Sequence, residues 1–235
     1  MLTNGRNNLW YDRQAMRTID QFRQEFGLKL AVETGSHVGG STEVLAYYFD
    51  KVLSCEVDYG YYLKAVERTK NLTNIEIDPI QSDLFLKSIG PEPVFFFLDA
   101  HPFNNSAGTD WPIEKEIPAL GKRDNCVICI HDYDNGELGF IYDNNRKLDW
   151  SMVGHLLKEV NPNFHYYTNT KEYCDIVDEE TVKEVPVTID ADIIDCIRHS
   201  INGGGDTTKY RGILYAVPQP VDLTKYKLVK YEPGT

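Results

Sequence analysis

No stretch of the 235 residues reaches the roughly 18 consecutive apolar residues of a membrane-spanning helix, and the opening MLTNGRNNLWYDR lacks the apolar core of a secretory signal. A soluble cytoplasmic protein with no membrane partner is the expectation. Positive charge is also short: 24 Lys and Arg stand against 36 Asp and Glu, a net of -12. The average surface therefore repels a phosphate backbone, and nucleic acid is not an expected partner. The basic clusters Lys122-Arg123 and Lys225 to Lys230 are small and interrupted. Cysteine is scarce and odd in number, with Cys55, Cys126, Cys129, Cys174 and Cys196 scattered along the chain, which excludes a disulfide scaffold and predicts reduced thiols. Cys126 and Cys129 make a CxxC, but within the apolar run 126 to 130. Strand alternation sends positions three apart to opposite faces, so two buried thiols are predicted rather than a redox or zinc pair.

What is present is ordinary for a globular protein: 42% apolar and 26% charged residues, no repeats and no low-complexity tract. One domain spanning 1–235 is expected. Residues 10 to 26 space Met16, Ile19, Phe22 and Phe26 at helical intervals, predicting an amphipathic helix within an N-terminal segment, 1–27. Strands are predicted at 29–34, 52–57, 75–79, 94–99 and 127–132, separated by helical stretches near 41–49, 59–70, 83–89 and 112–121. The fourth, Val-Phe-Phe-Phe-Leu-Asp, is apolar on consecutive positions, as a central strand covered on both faces must be. Asp110 is a candidate cap for the last of these helices, with Pro112 in its first turn. A helix over 149–160 and strands at 164–168 and 212–217 complete seven strands. Residues 171–209, with Gly203-Gly204-Gly205, read as an insertion between the last two strands, a lid over a substrate.

The first predicted strand runs into Glu33-Thr34-Gly35-Ser36-His37-Val38-Gly39-Gly40-Ser41-Thr42 and then a helix. Glycines at such a turn permit positive φ beside the NH groups that open the helix. A phosphate-binding P-loop would need Lys where Ser41 stands, and a dinucleotide loop would need Gly where His37 stands. S-adenosylmethionine carries no phosphate, only an amino acid group, a sulfonium and a ribose diol. It suits a glycine turn, here Gly35, Ser36, Gly39, Ser41 and Thr42, combined with carboxylates. Glu33 is placed for its amino acid end, Glu56 at the end of the second strand for the ribose hydroxyls, and Asp83 near an adenine edge. An acid after the second strand also serves an NAD ribose, so this feature alone does not decide.

The segments VETGSHVGGST (32–42), CEVD (55–58), QSDL (81–84), FFFLDAH (95–101) and CVICIHDY (126–133) resemble, in order and spacing, the class I S-adenosylmethionine-dependent methyltransferases. The resemblance covers about 28–133 well. It implies an α/β fold with a Rossmann-like doubly wound seven-stranded sheet, mostly parallel with an antiparallel final hairpin, and helices on both faces.

Open parallel sheets bind ligands at the carboxyl ends of their strands, where this sequence places Asp99-Ala100-His101 and His131-Asp132-Tyr133-Asp134. Methyl transfer to a hydroxyl needs an aligned nucleophile and a group to take its proton. Asp99 and His101, two residues apart and on one side of an extended chain, are the candidate catalytic pair, with His101 as base. Asp99, which also faces the cofactor, can join His131 and Asp132 in holding Mg2+ or another divalent ion. This resembles the metal-dependent O-methyltransferases of sugar and macrolide tailoring, in which a strand-four Asp and an acidic pair after strand five hold the metal. Here the pair is His131-Asp132, so a metal-free, histidine-based mechanism stays open. Trp111, Tyr133 and Phe103 are placed either to stack on an acceptor or to pack the core, and His155, His165 and His199 read as structural or exposed. The expected partner is a small-molecule or glycan acceptor, a sugar first, with homo-oligomerisation left open. An NAD-dependent oxidoreductase or epimerase and a catalytically silent binding protein of the same fold are the rival readings.

Overall fold

The computed structural model describes residues 13–101, 111–137, 147–173 and 211–232. The helices and strands run α1 (Arg13–Glu25), β1 (Leu30–Thr34), α2 (Gly40–Tyr48), β2 (Lys51–Cys55), α3 (Tyr59–Thr69), β3 (Ile75–Asp78), α4 (Ser82–Leu86), β4 (Val94–Leu98), α5 (Ile113–Ala119), β5 (Cys126–Ile130), α6 (Trp150–Val160), β6 (His165–Thr168), β7 (Leu214–Val217), α7 (Leu223–Tyr226) and β8 (Val229–Lys230). Most of the insertion, with Cys174, Cys196 and His199, lies outside the described residues, as do Phe103 and Asp110.

The strands form one sheet in the order β3-β2-β1-β4-β5-β7-β6-β8. β1 through β5 are parallel, whereas β7 enters antiparallel between β5 and β6. The mostly parallel Rossmann-like sheet and its antiparallel hairpin are as expected, but the strand count is corrected from seven to eight. The additional strand, β8, has two residues, both exposed, and pairs antiparallel with β6. Two residues are too few to show an alternation, which is why the sequence pattern misses it.

The consecutive apolar residues of the central strands divide between two cores. Phe95 and Phe97 of β4, with Val127 and Cys129 of β5, face the side covered by α1 and α2. Val94, Phe96 and Leu98, with Cys126, Ile128 and Ile130, face the side covered by α4, α5 and α6. Cys126 and Cys129 thus lie in different cores, buried and unbridged, and burial pushes the Cys126 thiol up to about 12. On α1, Met16, Ile19 and Phe22 are buried, with Phe26 packed beside them, and Phe22 stacks on Tyr226 of α7. β3, at one edge, alternates half-buried Ile75 and Ile77 with exposed Glu76 and Asp78, charges that discourage further pairing.

The register sets the site. Thr34 pairs with Cys55 on one side and Leu98 on the other, and Leu98 pairs with Ile130. Four strands therefore end level, and the chain segments after them emerge along one edge. The connection from β1 leads to β2 on one side, while β4 joins β1 on the other, so the crevice of a topological switch opens between β1 and β4.

Candidate functional site

The turn after β1 is anchored from below, with the NH groups of Gly35 and Ser36 both donating to the Cys55 carbonyl at 3.0 Å. Gly35, His37 and Gly39 all adopt positive φ. At Gly35 a Cβ would lie 2.9 Å from Ala100 Cα, so the missing side chain lets the turn close onto the segment after β4. At Gly39 a Cβ would meet Ala65 Cα of α3 at 3.1 Å. Both glycines serve contacts within the protein. His37, where a dinucleotide loop would carry glycine, takes the left-handed conformation at φ 49. Its ring lies 4.2 Å from that of Tyr61, and burial lowers its pKa against the opposing pull of Asp99.

The polar residues of this turn fall into two groups. Ser36 Oγ is 2.6 Å from Ser54 Oγ and also donates to the Cys55 carbonyl, and Thr42 donates to Glu33, so the hydroxyls of Ser36 and Thr42 are engaged inside the protein. Ser41 is buried at the start of α2. Glu56, just beyond β2, accepts the His37 NH on Oε2 at 2.8 Å and the Asp58 NH on Oε1 at 2.9 Å. Two NH bonds fix the orientation of its carboxylate, and each oxygen keeps a second lone pair for a hydroxyl. Asp83 sits in the first turn of α4, where it meets Lys87 Nζ at 3.2 Å.

Glu33 lies wholly beneath the turn. Its Oε2 accepts from Thr42 and from Ser54 at 2.6 Å, while Oε1 is buried with no hydrogen-bond partner among the described residues. Burial outweighs the two hydroxyls and raises its pKa to about 8, so at neutral pH the group is mostly protonated. A second buried carboxyl, Glu116 of α5, is raised by burial to about 7. The hydroxyls of Ser82 and Thr34 pull the other way, yet neither Glu116 oxygen completes a hydrogen bond of normal geometry among the described residues. Sequence reading passed over Glu116. Its signal was an acid inside the apolar stripe Ile113, Ile117, Leu120.

The segments after β4 and β5 bring together Asp99, His101, His131 and Asp132. His131 Nδ1 lies 2.8 Å from Asp99 Oδ1 and 3.6 Å from Asp132 Oδ1. His101 lies between the same two acids, with Nδ1 3.8 Å from Asp99 Oδ1 and Nε2 3.5 Å from Asp132 Oδ2. Side-chain exposure separates the imidazoles: 18% for His101 against 4% for His131. Burial alone would lower the pKa of His131, but the charges of Asp99 and Asp132 and the hydrogen bond to Asp99 overcome it and raise it to about 9. His131 is therefore a buried cation at neutral pH. Asp132, 1% exposed and at φ 57, also meets the buried Arg211, Nε to Oδ1 3.2 Å. Arg211 had no local signal, since it stands far along the chain, just before β7.

Among the described residues, one metal-capable group places its ligand atoms within 4.8 Å of one another: Asp99, His101 and Asp132. The imidazole in that group is His101, whereas sequence reading assigned that part to His131. The donor types suit a divalent ion, but the local charge does not. The buried Arg211 guanidinium, 3.2 Å from Asp132, already sets a positive charge against this carboxylate, so the residues do not fit a divalent cation.

Trp111 and Tyr133 are buried in the core, His155 is exposed and His165 is half-buried. No helix of the described residues is long and apolar enough to cross a membrane.

No family model matches the chain, and neither does any curated protein. Among solved structures, a plantazolicin methyltransferase in complex with SAH and a triazolic desmethyl analogue is 14% identical over 88% of this chain and 84% of its own, with a TM-score of 0.48. A spermidine synthase from Thermotoga maritima is 15% identical over 92% of this chain and 62% of its own, with a TM-score of 0.48. A SAM dependent methyltransferase from Aquifex aeolicus is 18% identical over 71% of this chain and 88% of its own, with a TM-score of 0.45. Likenesses at this level decide nothing about the chemistry.

Proposed function

We propose that this chain is an S-adenosylmethionine-dependent O-methyltransferase acting on a hydroxyl of a small molecule or glycan, a sugar first, as one domain spanning 1–235. The observation that carries the reading is the position of His101: a partly exposed imidazole held between two carboxylates, at the end of the strand that borders the switch crevice. Glu56 fits a ribose diol through its free lone pairs, and Asp99 and Asp83 stand on the same edge of the sheet. Glu33, Gly35, Ser36, Gly39 and Thr42 hold the turn in shape, and Ser41 opens the helix beside it.

The cofactor, when bound, supplies an electrophilic methyl group on a sulfonium. His101 takes the proton of the acceptor hydroxyl as its oxygen becomes nucleophilic, and Asp99 and Asp132 favour the positive charge that develops on the ring. His131, already protonated, is unsuited to that task and holds the acids in place instead. Against NAD chemistry stand His37 in place of the second glycine and the antiparallel β7 between β5 and β6, where the dinucleotide-binding order has no such strand. Against a silent binding protein stands the intact Asp99, His101, Asp132 cluster.

The test is methyl transfer from radiolabelled S-adenosylmethionine to a panel of sugars and small hydroxylated acceptors. Turnover is expected with at least one class, and His101→Ala should lower it by about 10²–10⁴ while leaving affinity for S-adenosylhomocysteine nearly unchanged. Undiminished turnover in H101A would remove the base from the scheme.

A further inference from the structure

We propose that Arg211 is the built-in counter-cation of the reaction centre, a positioning residue that holds Asp132 beside His101 and takes the electrostatic place of a divalent metal; this rests on the function proposed above.

The argument begins with the acids. Asp99 and Asp132 approach a shared space at the ends of β4 and β5, and two carboxylates that close repel unless cations lie between or beside them. A guanidinium stays charged at every pH the protein meets, so its contribution is independent of titration. Arg211 is buried, and its Nε lies 3.2 Å from Asp132 Oδ1 in surroundings that screen charge weakly. The same Oδ1 faces His131 Nδ1 at 3.6 Å, and Oδ2 faces His101 Nε2 at 3.5 Å. Both oxygens of Asp132 are thus already faced by nitrogen, and Asp99 Oδ1 is taken by His131 at 2.8 Å. A divalent ion entering among Asp99, His101 and Asp132 would sit beside a fixed positive charge and displace existing contacts.

The backbone carrying Arg211 is equally determined. The Asn169 side chain donates from Nδ2 to the Arg211 carbonyl and accepts the Ile213 NH on Oδ1, each at 2.7 Å, and the Tyr133 NH donates to the Gly212 carbonyl. These contacts tie the start of β7 to the end of β6 and to the segment after β5. These contacts fix the backbone from which the Arg211 side chain reaches Asp132 as an ion pair.

The experiment is a Mn2+ titration followed by electron paramagnetic resonance on the full chain as wild type, Asp132→Asn, Arg211→Gln, Arg211→Lys and Arg211→Gln with Asp132→Asn. No methyl donor is needed, and calorimetry with S-adenosylhomocysteine on the same samples judges the methyltransferase reading separately. Wild type and R211K should show only weak Mn2+ binding that Asp132→Asn leaves unchanged, R211Q should bind Mn2+ at least about tenfold more tightly as a neighbouring charge is removed, and adding Asp132→Asn to R211Q should abolish the gain. A saturable Mn2+ site in wild type that D132N removes overturns the proposal, whether or not R211Q folds. So does a folded R211Q with wild-type Mn2+ affinity.

Discussion

Buried acids and a buried imidazole give single residues a measurable signature in pH. Glu33, Glu116 and His131 all have folded pKa values above their ordinary ones, at about 8, about 7 and about 9. A raised pKa means that the folded state binds the proton more tightly, so each group's contribution is fully present below its unfolded pKa and is lost as pH climbs through the folded one. For the two carboxyls the window opens near 4.5, for the imidazole near 6.5, and the last closes at about 9. Melting temperature should therefore fall steadily from about pH 5 to about pH 9, and Glu33→Gln or Glu116→Gln should flatten part of that slope. A flat profile in the wild type would show that these groups titrate normally. At this scale the sequence was partly legible. Asp99, His101 and Asp132 declare themselves by ending apolar strands, whereas Arg211 reaches the cluster through tertiary folding that no local pattern reports. The hydroxyls of Ser36 and Thr42 point into the protein for a similar reason: Ser54 and Glu33, which engage them, come from strands, and the turn's sequence alone does not show their orientation.

Elements were easier to read, because a buried parallel strand leaves a run of apolar residues and a surface helix leaves a stripe. All seven strands expected from such runs are found, within a few residues at their ends. α7 and β8 were missed since four and two residues are too short to carry a period. The glycine turn was located correctly, and Gly35 and Gly39 take the positive φ expected of glycines there, with Ala100 and Ala65 filling the spaces a side chain would need. Gly39→Ala forces a side chain into positive φ against α3 and should cost about 1–3 kcal/mol in chemical denaturation; a neutral change would mean that α2 and α3 part easily. Asn169→Ala leaves the buried Ile213 NH and the Arg211 carbonyl without the side chain that bonds them at 2.7 Å, for a loss of about 1–3 kcal/mol. Unaltered stability in N169A would show that water replaces the clip at no cost.

The whole molecule joins these parts through register. Because Thr34, Cys55, Leu98 and Ile130 are level, a turn, a carboxylate and a histidine-acid cluster that are distant in sequence meet along one edge. The net charge of -12 over the whole chain sets the expectation of a small or neutral acceptor over a nucleic acid. Ordered motifs made the ends of the central strands legible, since each marks the end of a particular strand. The acceptor's identity was not, because residues 171–209 carry no motif whose chemistry can be read. The measurement that bears most directly on the account is the melting temperature with S-adenosylhomocysteine and, in parallel, with NAD, in protein shown by mass spectrometry to carry no copurified nucleoside. The account predicts stabilisation by S-adenosylhomocysteine approaching about 2.7 kcal/mol at a hundredfold excess over its dissociation constant, and none by NAD. Stabilisation by NAD alone, or by neither ligand, would contradict it.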